Sequence, residues 1–216
     1  MPEALLDNRI LTWTSDAPAG FAFRGYALKA DDGTIAWIDP PDPGEHEAEL
    51  VAFGRPQHIL VTFRDHDRAV DRLAARYGAK VWIPKGKGGD IKRVDVEYDE
   101  KTALPAGLKA LSLPAVGYGE HALHGTVGGH RFAFIGDAVM NMDYDRLPWI
   151  IRGLFLGRKK GRLQYKKHYR GGNTREALKQ VRGLLALELD ALLCSHGDPI
   201  ESGAAAVLKE SIESWG

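Results

Sequence analysis

The stretch HILVTFRDHDR (His58–Arg68) decides the fold. Its first five residues form a mainly apolar run of the kind that makes a strand buried on both faces. The next six are polar or titratable, apart from Phe63. Ala69, Val70, Leu73 and Ala74 then recur at helical spacing, which predicts a helix over Asp65–Tyr77 with Gly78 as its stop. A buried strand that runs into a polar turn and then a helix puts reactive side chains at a sheet edge, where sites usually form. Working outward, residues Arg9–Thr14 and Phe21–Ala30 alternate as strands, and Asp32-Gly33 supplies a hairpin turn. The strand Thr34–Asp39 stops at Pro40 and Pro41, and a helix over Glu45–Phe53 ends at Gly54. Beyond the decisive stretch come a strand at Val81–Pro84 and a glycine- and lysine-rich surface turn at Lys85–Asp90. Strands at Leu108–Leu113, His121–Val127 and Arg131–Ile135 follow. A helix from Asn173 or Thr174 to Glu188, a strand at Ala191–Ser195 and a helix over Gly203–Trp215 close the chain. Two β-rich halves, each trailed by helices, predict an α/β protein of two sheets packed face to face with helices outside.

Composition narrows the function classes. The 216 residues, 44% hydrophobic and 27% charged, suit one globular domain over residues 1–216 and exclude wholesale disorder. Lys+Arg and Asp+Glu number 29 each, a balance unlike that of a strongly basic nucleic-acid protein. The single cysteine, Cys194, excludes an internal disulfide framework and a zinc ribbon. No apolar run reaches the roughly 18–20 residues of a spanning helix, and the first ten residues lack the pattern of a signal peptide. The expectation is a soluble, cytoplasmic protein.

Polar clusters close four of the predicted strands: Asp39; Thr62 to Arg68; Gly136-Asp137; and Ser195-His196-Gly197-Asp198. Their order and spacing resemble the metallo-β-lactamase superfamily. Its pattern is an early acid, T-H-x-H-x-D-H at a strand-to-helix turn, a lone histidine, G-D after a strand and a late G-H-G. The resemblance spans roughly Ile10 to Trp215 and implies a four-layer αββα sandwich with a metal site at one edge. Residue by residue the match is damaged. Phe63 stands at the first histidine position, Asp65 at the second, Arg68 at the third and Val116 at the lone histidine, while Asp67, Asp137 and His196 are kept. The resemblance therefore implies at most one divalent metal (Zn, Mn or Fe), held by Asp65, Asp67, Asp137 and His196. Asp67, Arg68 and His66 become the catalytic candidates. A register shared with divergent members, Glu120-His121-Ala122-Leu123-His124, adds Glu120 as a substrate-binding candidate. The implied activity is hydrolysis of an ester-like or anionic small molecule. The alternative is a metal-free, inactive binding or interaction protein in which the Arg68 guanidinium pairs with the acids and replaces the cation.

Several residues admit plainer roles. His66 is either a ligand or base, or an exposed histidine in the first turn of its helix. His121 and His124 lie on one strand, so at most one faces the core. Cys194 reads as a small buried hydrophobe. Ser195 and His196, adjacent on a strand, point to opposite faces and cannot pair side by side.

An insert follows Asp137, over about residues 138–172. Leu147–Leu156 is apolar, with Trp149 and Phe155, and Arg152–Arg170 then carries eight Lys/Arg, no acids, and Tyr165 and Tyr169. Three readings stay open. The insert is a lid whose Arg158, Lys159 and Lys160 receive an anionic substrate; a contact for nucleic acid or a membrane surface; or a homodimer interface or covering element. The remaining 197 residues hold 21 basic against 29 acidic side chains, so the neutral total conceals a polarised chain.

Overall fold

The computed structural model describes residues 1–15, 22–86, 89–157, 161–169 and 172–215. The first sheet has seven strands in chain order: β1 (Glu3–Leu5), β2 (Ile10–Ser15), β3 (Phe23–Lys29), β4 (Ile35–Ile38), β5 (His58–Leu60), β6 (Lys80–Pro84) and β7 (Val96–Tyr98). Its first half is an antiparallel meander, and β4 to β7 run parallel. Parallel neighbours need crossovers, which α1 (Glu47–Phe53) and α2 (Val70–Tyr77) supply for β4–β5 and β5–β6. The second sheet contains β8 (Lys109–Leu113), β9 (Glu120–Val127), β10 (His130–Ile135) and β13 (Ala191–Cys194), with β13 parallel to β10. Helix α3 (Thr174–Val181) lies in the connection between those two strands, and α4 (Ala204–Trp215) follows β13.

The period-two alternation of the strands assembles four layers. Tyr26, Leu28, Ala36, Ile38, Leu60 and Trp82 of the first sheet share a core with Leu123, Phe132, Phe134, Ala191 and Leu193 of the second. Their sequence neighbours face the other way. Trp37, Ile59, Val61, Val81 and Ile83 pack against Leu50 of α1 and Val70, Leu73 and Ala74 of α2. Ala122, Ala133, Ile135, Leu192 and Cys194 pack against Ala177 and Val181 of α3 and Leu208 and Ile212 of α4. The result is the αββα sandwich that the resemblance implies.

The structure moves several expected boundaries. The helix expected from Asp65 begins at Val70, because residues 62–68 are drawn into a polar network and Arg68 takes a positive φ of 28°. Gly78, at φ 67°, ends that helix in the left-handed region as predicted. The helix expected to reach Glu188 ends at Val181 and continues as a 3-10 turn over Arg182–Leu187, with Gly183 in it. Asn173 caps α3, its side chain accepting a hydrogen bond from the N–H of Glu176 at 3.1 Å. Strands β1 and β7, three residues each, are too short to show alternation. The described residues of the 138–172 segment form short elements that its pattern did not announce. It holds a 3-10 turn at Tyr144–Arg146, a π-helical turn at Ile151–Phe155, and an antiparallel pair of β11 (Leu156–Gly157) with β12 (Tyr165–Lys166). The Tyr165 ring lies so close over Gly157 that a Cβ there would stand 2.1 Å from it. Among the described residues no helix is long and apolar enough to cross a membrane.

Phe134 sits between the sheets, with ring centroids 5.2 Å from both Tyr26 and Phe132. Phe134→Ala opens a cavity that a two-sheet core cannot collapse to fill. Urea unfolding is expected to show a loss of about 3–5 kcal/mol.

Candidate metal centre

The site is organised around one buried carboxylate. Asp39 leaves β4 with a positive φ of 46°, and its side chain is buried. Its Oδ1 accepts the N–H of Thr62 at 2.8 Å, and Oδ2 accepts the hydroxyls of Thr62 at 2.5 Å and Ser195 at 2.7 Å. His66 Nδ1 lies 3.0 Å from the same Oδ2. Burial alone would raise the pKa of Asp39, but the charges of His66 and Arg68, with hydrogen bonds from His66 and Thr62, outweigh it and bring it to about 2. An ionised Asp39 fixes the His66 tautomer with the proton on Nδ1, so Nε2 is turned towards Asp137. Burial and the Arg68 charge push the His66 pKa down, yet Asp39 and Asp137 prevail and hold it above its ordinary value.

Asp137 is the second centre. Its Oδ1 lies 3.2 Å from His196 Nε2 and 3.8 Å from His66 Nε2, and Lys166 Nζ contacts Oδ2. Burial opposes its ionisation, but Lys166 and the two histidines hold its pKa well below the carboxylate range. Burial lowers the His196 pKa, offset only in part by Asp137, which favours the neutral imidazole that ligates metals. Together His66, Asp137 and His196 each offer a ligand atom within 4.8 Å of the others.

The Asp137 loop is placed by Glu120, the first residue of β9. Its carboxylate accepts the N–H groups of Gly136 at 3.0 Å, Asp137 at 2.7 Å and Ala138 at 3.0 Å. Burial and the Asp137 charge push its pKa up to about 7 against those hydrogen bonds. Gly136 has no room for a side chain. A Cβ there would lie 2.7 Å from Thr62 Oγ1 and 3.0 Å from His66 Cε1. A further link joins the sheets at this edge, from the N–H of His121 to the carbonyl of Thr62 at 2.9 Å.

The other expected site residues are placed as follows. Asp65 and Asp67 stand outside the His66–Asp137–His196 group. Asp65 lines the adjoining cavity, while Asp67 Oδ1 accepts the N–H of Arg68 at 2.8 Å. Arg68 directs its guanidinium to main-chain carbonyls, those of Asp39 at 3.1 Å and Arg24 at 3.2 Å, and stacks over the Phe23 ring at 4.4 Å. These contacts hold the backbone behind Asp39. Glu120 faces backbone rather than the cavity, as the loop hydrogen bonds require. Arg158, Lys159 and Lys160 lie outside the described residues. His66 is buried, so the picture of an exposed first-turn histidine does not hold. Sequence reasoning passed over Lys166 as one cation among eight. It also judged Ser195 only against His196, whereas its hydroxyl serves Asp39. The signal available for Ser195 was its position at a strand end.

Over this cluster lies a cavity of about 540 Å³. Phe23, Phe63, Val116, Met140, Ile151, Phe155, Leu156 and Tyr169 supply most of its wall. Asp65, Gly117 and His168 complete the lining beside the clustered His66, Asp137, Lys166 and His196. Phe63 and Val116, at positions where the resemblance would set histidine ligands, are thus apolar wall. Cys194 is buried behind the sheet, its thiol pushed up to about 12, chiefly by burial.

No protein-family model matches the sequence, and neither does any curated protein. Solved structures do match in fold. A DIM-1 metallo-β-lactamase exposed to ceftazidime is 13% identical with a TM-score of 0.69, over 99% of this chain and 95% of that one. TTHA1623 in a di-iron-bound form is 21% identical at 0.60, over 89% and 95%. ETHE1 from Myxococcus xanthus is 17% identical at 0.58, over 94% and 87%. The chain has the metallo-β-lactamase fold.

Asp39 carries a pH signature. Its folded pKa of about 2 lies below the ordinary aspartate value of 3.8, so its ionised form contributes stability that is present above pH ~3.8 and lost as pH falls through ~2. The contribution at neutral pH is on the order of 2 kcal/mol. Urea unfolding across this range should show the stability gap between wild type and Asp39→Asn narrowing as the solution is acidified. A gap that stays constant would show that the charge of Asp39 contributes nothing.

Proposed function

With a metallo-β-lactamase fold as the premise, we propose that this protein is a hydrolase of ester-like or anionic small molecules that uses a single divalent metal held by His66, Asp137 and His196. The observation that carries the reading is the convergence of two imidazoles and one carboxylate beneath a half-open cavity. That donor set suits Zn²⁺, Mn²⁺ or Fe²⁺. The hydrogen bond between Asp39 and His66 is the outer support that ligating histidines ordinarily have. A bound ion would supply a Lewis acid that makes water nucleophilic near neutral pH.

The chain's own residues account for the rest. Asp39 fixes the orientation and tautomer of His66, and Arg68 fixes Asp39. Glu120 holds the loop that presents Asp137. Lys166 sets a positive charge beside the cluster, where it can meet negative charge that develops on a substrate carbonyl. The apolar wall lowers the local dielectric on its side of the cluster and so strengthens those electrostatic contacts. In the net reaction the oxygen of water joins the acyl carbon, the bond to the alcohol oxygen breaks, and a proton passes to the departing alcohol.

Lys166 also favours a second reading, a metal-free binding protein in which its ammonium stands in for the cation at Asp137. Metal analysis separates the two. The hydrolase reading expects one ion per chain, lost in Asp137→Ala and His196→Ala and retained in Asp65→Ala. Asp39→Asn should weaken metal affinity by about 10–100-fold in a competitive chelator titration. The second reading expects a wild type without stoichiometric metal and a gain of metal binding in Lys166→Ala. Substoichiometric metal unaffected by Asp137→Ala would sink the hydrolase reading.

A further inference from the structure

The cavity is large for the few polar groups it contains. Its volume, about 540 Å³, is that of a pocket for a whole small ligand. The cluster formed by His66, His196 and Lys166 is gathered on the single carboxylate of Asp137. Phe63, Val116, Met140, Ile151, Phe155 and Leu156 supply most of the remaining wall. A compact polar substrate would contact the cluster and leave that wall unused.

The wall also continues to the surface. Phe155 lines the cavity and is 53% exposed, and Trp149, Ile150 and Leu154 of the same short stretch are exposed at 73%, 45% and 59%. Exposed apolar patches mark interaction surfaces or ligand grooves, and this one leads into an apolar-walled cavity. The stretch cannot be explained as core, since its aromatic rings meet solvent.

We infer that the site takes amphiphiles: a carboxylate or ester head at the Asp137 cluster, with Lys166 as its cationic partner, and a hydrocarbon chain along the wall that ends at Phe155. For the chemistry at the head group this rests on the hydrolase reading; the chain-binding wall stands on the cavity alone.

Calorimetric titration of the metal-free and the zinc-loaded full-length protein with butanoate, hexanoate, octanoate and decanoate tests it. Affinity is expected to rise by about fourfold per added methylene until the cavity is filled. Phe155→Asp is expected to weaken decanoate binding by about tenfold and to leave butanoate unchanged. Val94→Ser, at an exposed apolar residue outside both the cavity lining and the Trp149–Phe155 run, should leave both unchanged. Equal affinity along the series overturns the inference, and so does a Phe155→Asp variant that binds decanoate as wild type does. Turnover of 4-nitrophenyl decanoate is read separately. Chain-length-dependent binding without turnover would refute the hydrolase reading and support the amphiphile site. Turnover with no dependence on chain length would do the reverse.

Discussion

A charged carboxylate buried between two sheets is costly unless its oxygens are hydrogen-bonded, and Asp39 meets that condition with groups drawn from two distant parts of the chain. Thr62 and His66 come from the turn after β5, and Ser195 from the end of β13. The same residue therefore settles the edge of the first sheet, the conformation of the turn that displaces the start of α2, and the direction of His66. Arg68 completes the arrangement by holding the carbonyl of Asp39. Loss of the side chain would leave two hydroxyls and an imidazole without their common acceptor. Few other positions connect backbone geometry to site chemistry so directly.

Glu120 acts on the second sheet in a related way. Where Asp39 gathers side chains, Glu120 gathers three consecutive backbone N–H groups and bends the chain after β10 so that Asp137 faces the two histidines. The close fit of Gly136 against Thr62 and His66 shows why the two sheets must meet at this edge. The candidate metal centre thus lies where the two sheets meet, and its geometry depends on how they pack.

The layers were legible because each strand's apolar residues alternate or run continuously, and because Gly78 and Asn173 act through local geometry that any context preserves. Asp39, Asp137 and His196 were legible as strand-end residues. Less legible was anything that depends on tertiary pairing. Asp65 and Asp67 resemble ligands in a linear motif, but the turn over residues 62–68 carries His66 inward and uses Asp67 to cap its own backbone. Glu120 suggested a substrate contact because nothing in the sequence reveals which buried N–H groups need an acceptor. Lys166 was hidden in a run of like charges, and only the pairing of β11 with β12 sets it against Asp137.

The pairing of β10 with β13 joins Phe132 to Ala191 and Ile135 to Cys194 in parallel, across a long stretch of intervening chain. Contacts of that sequence separation form late, after the entropy of a large loop has been overcome. His196 follows β13 directly, so it reaches Asp137 only once this strand has docked. During synthesis, the first sheet can assemble while the chain still lacks its last imidazole. The cluster is complete only after that docking, and an ion bound by His66, Asp137 and His196 together would tie the turn after β5 to the residues that follow β10 and β13.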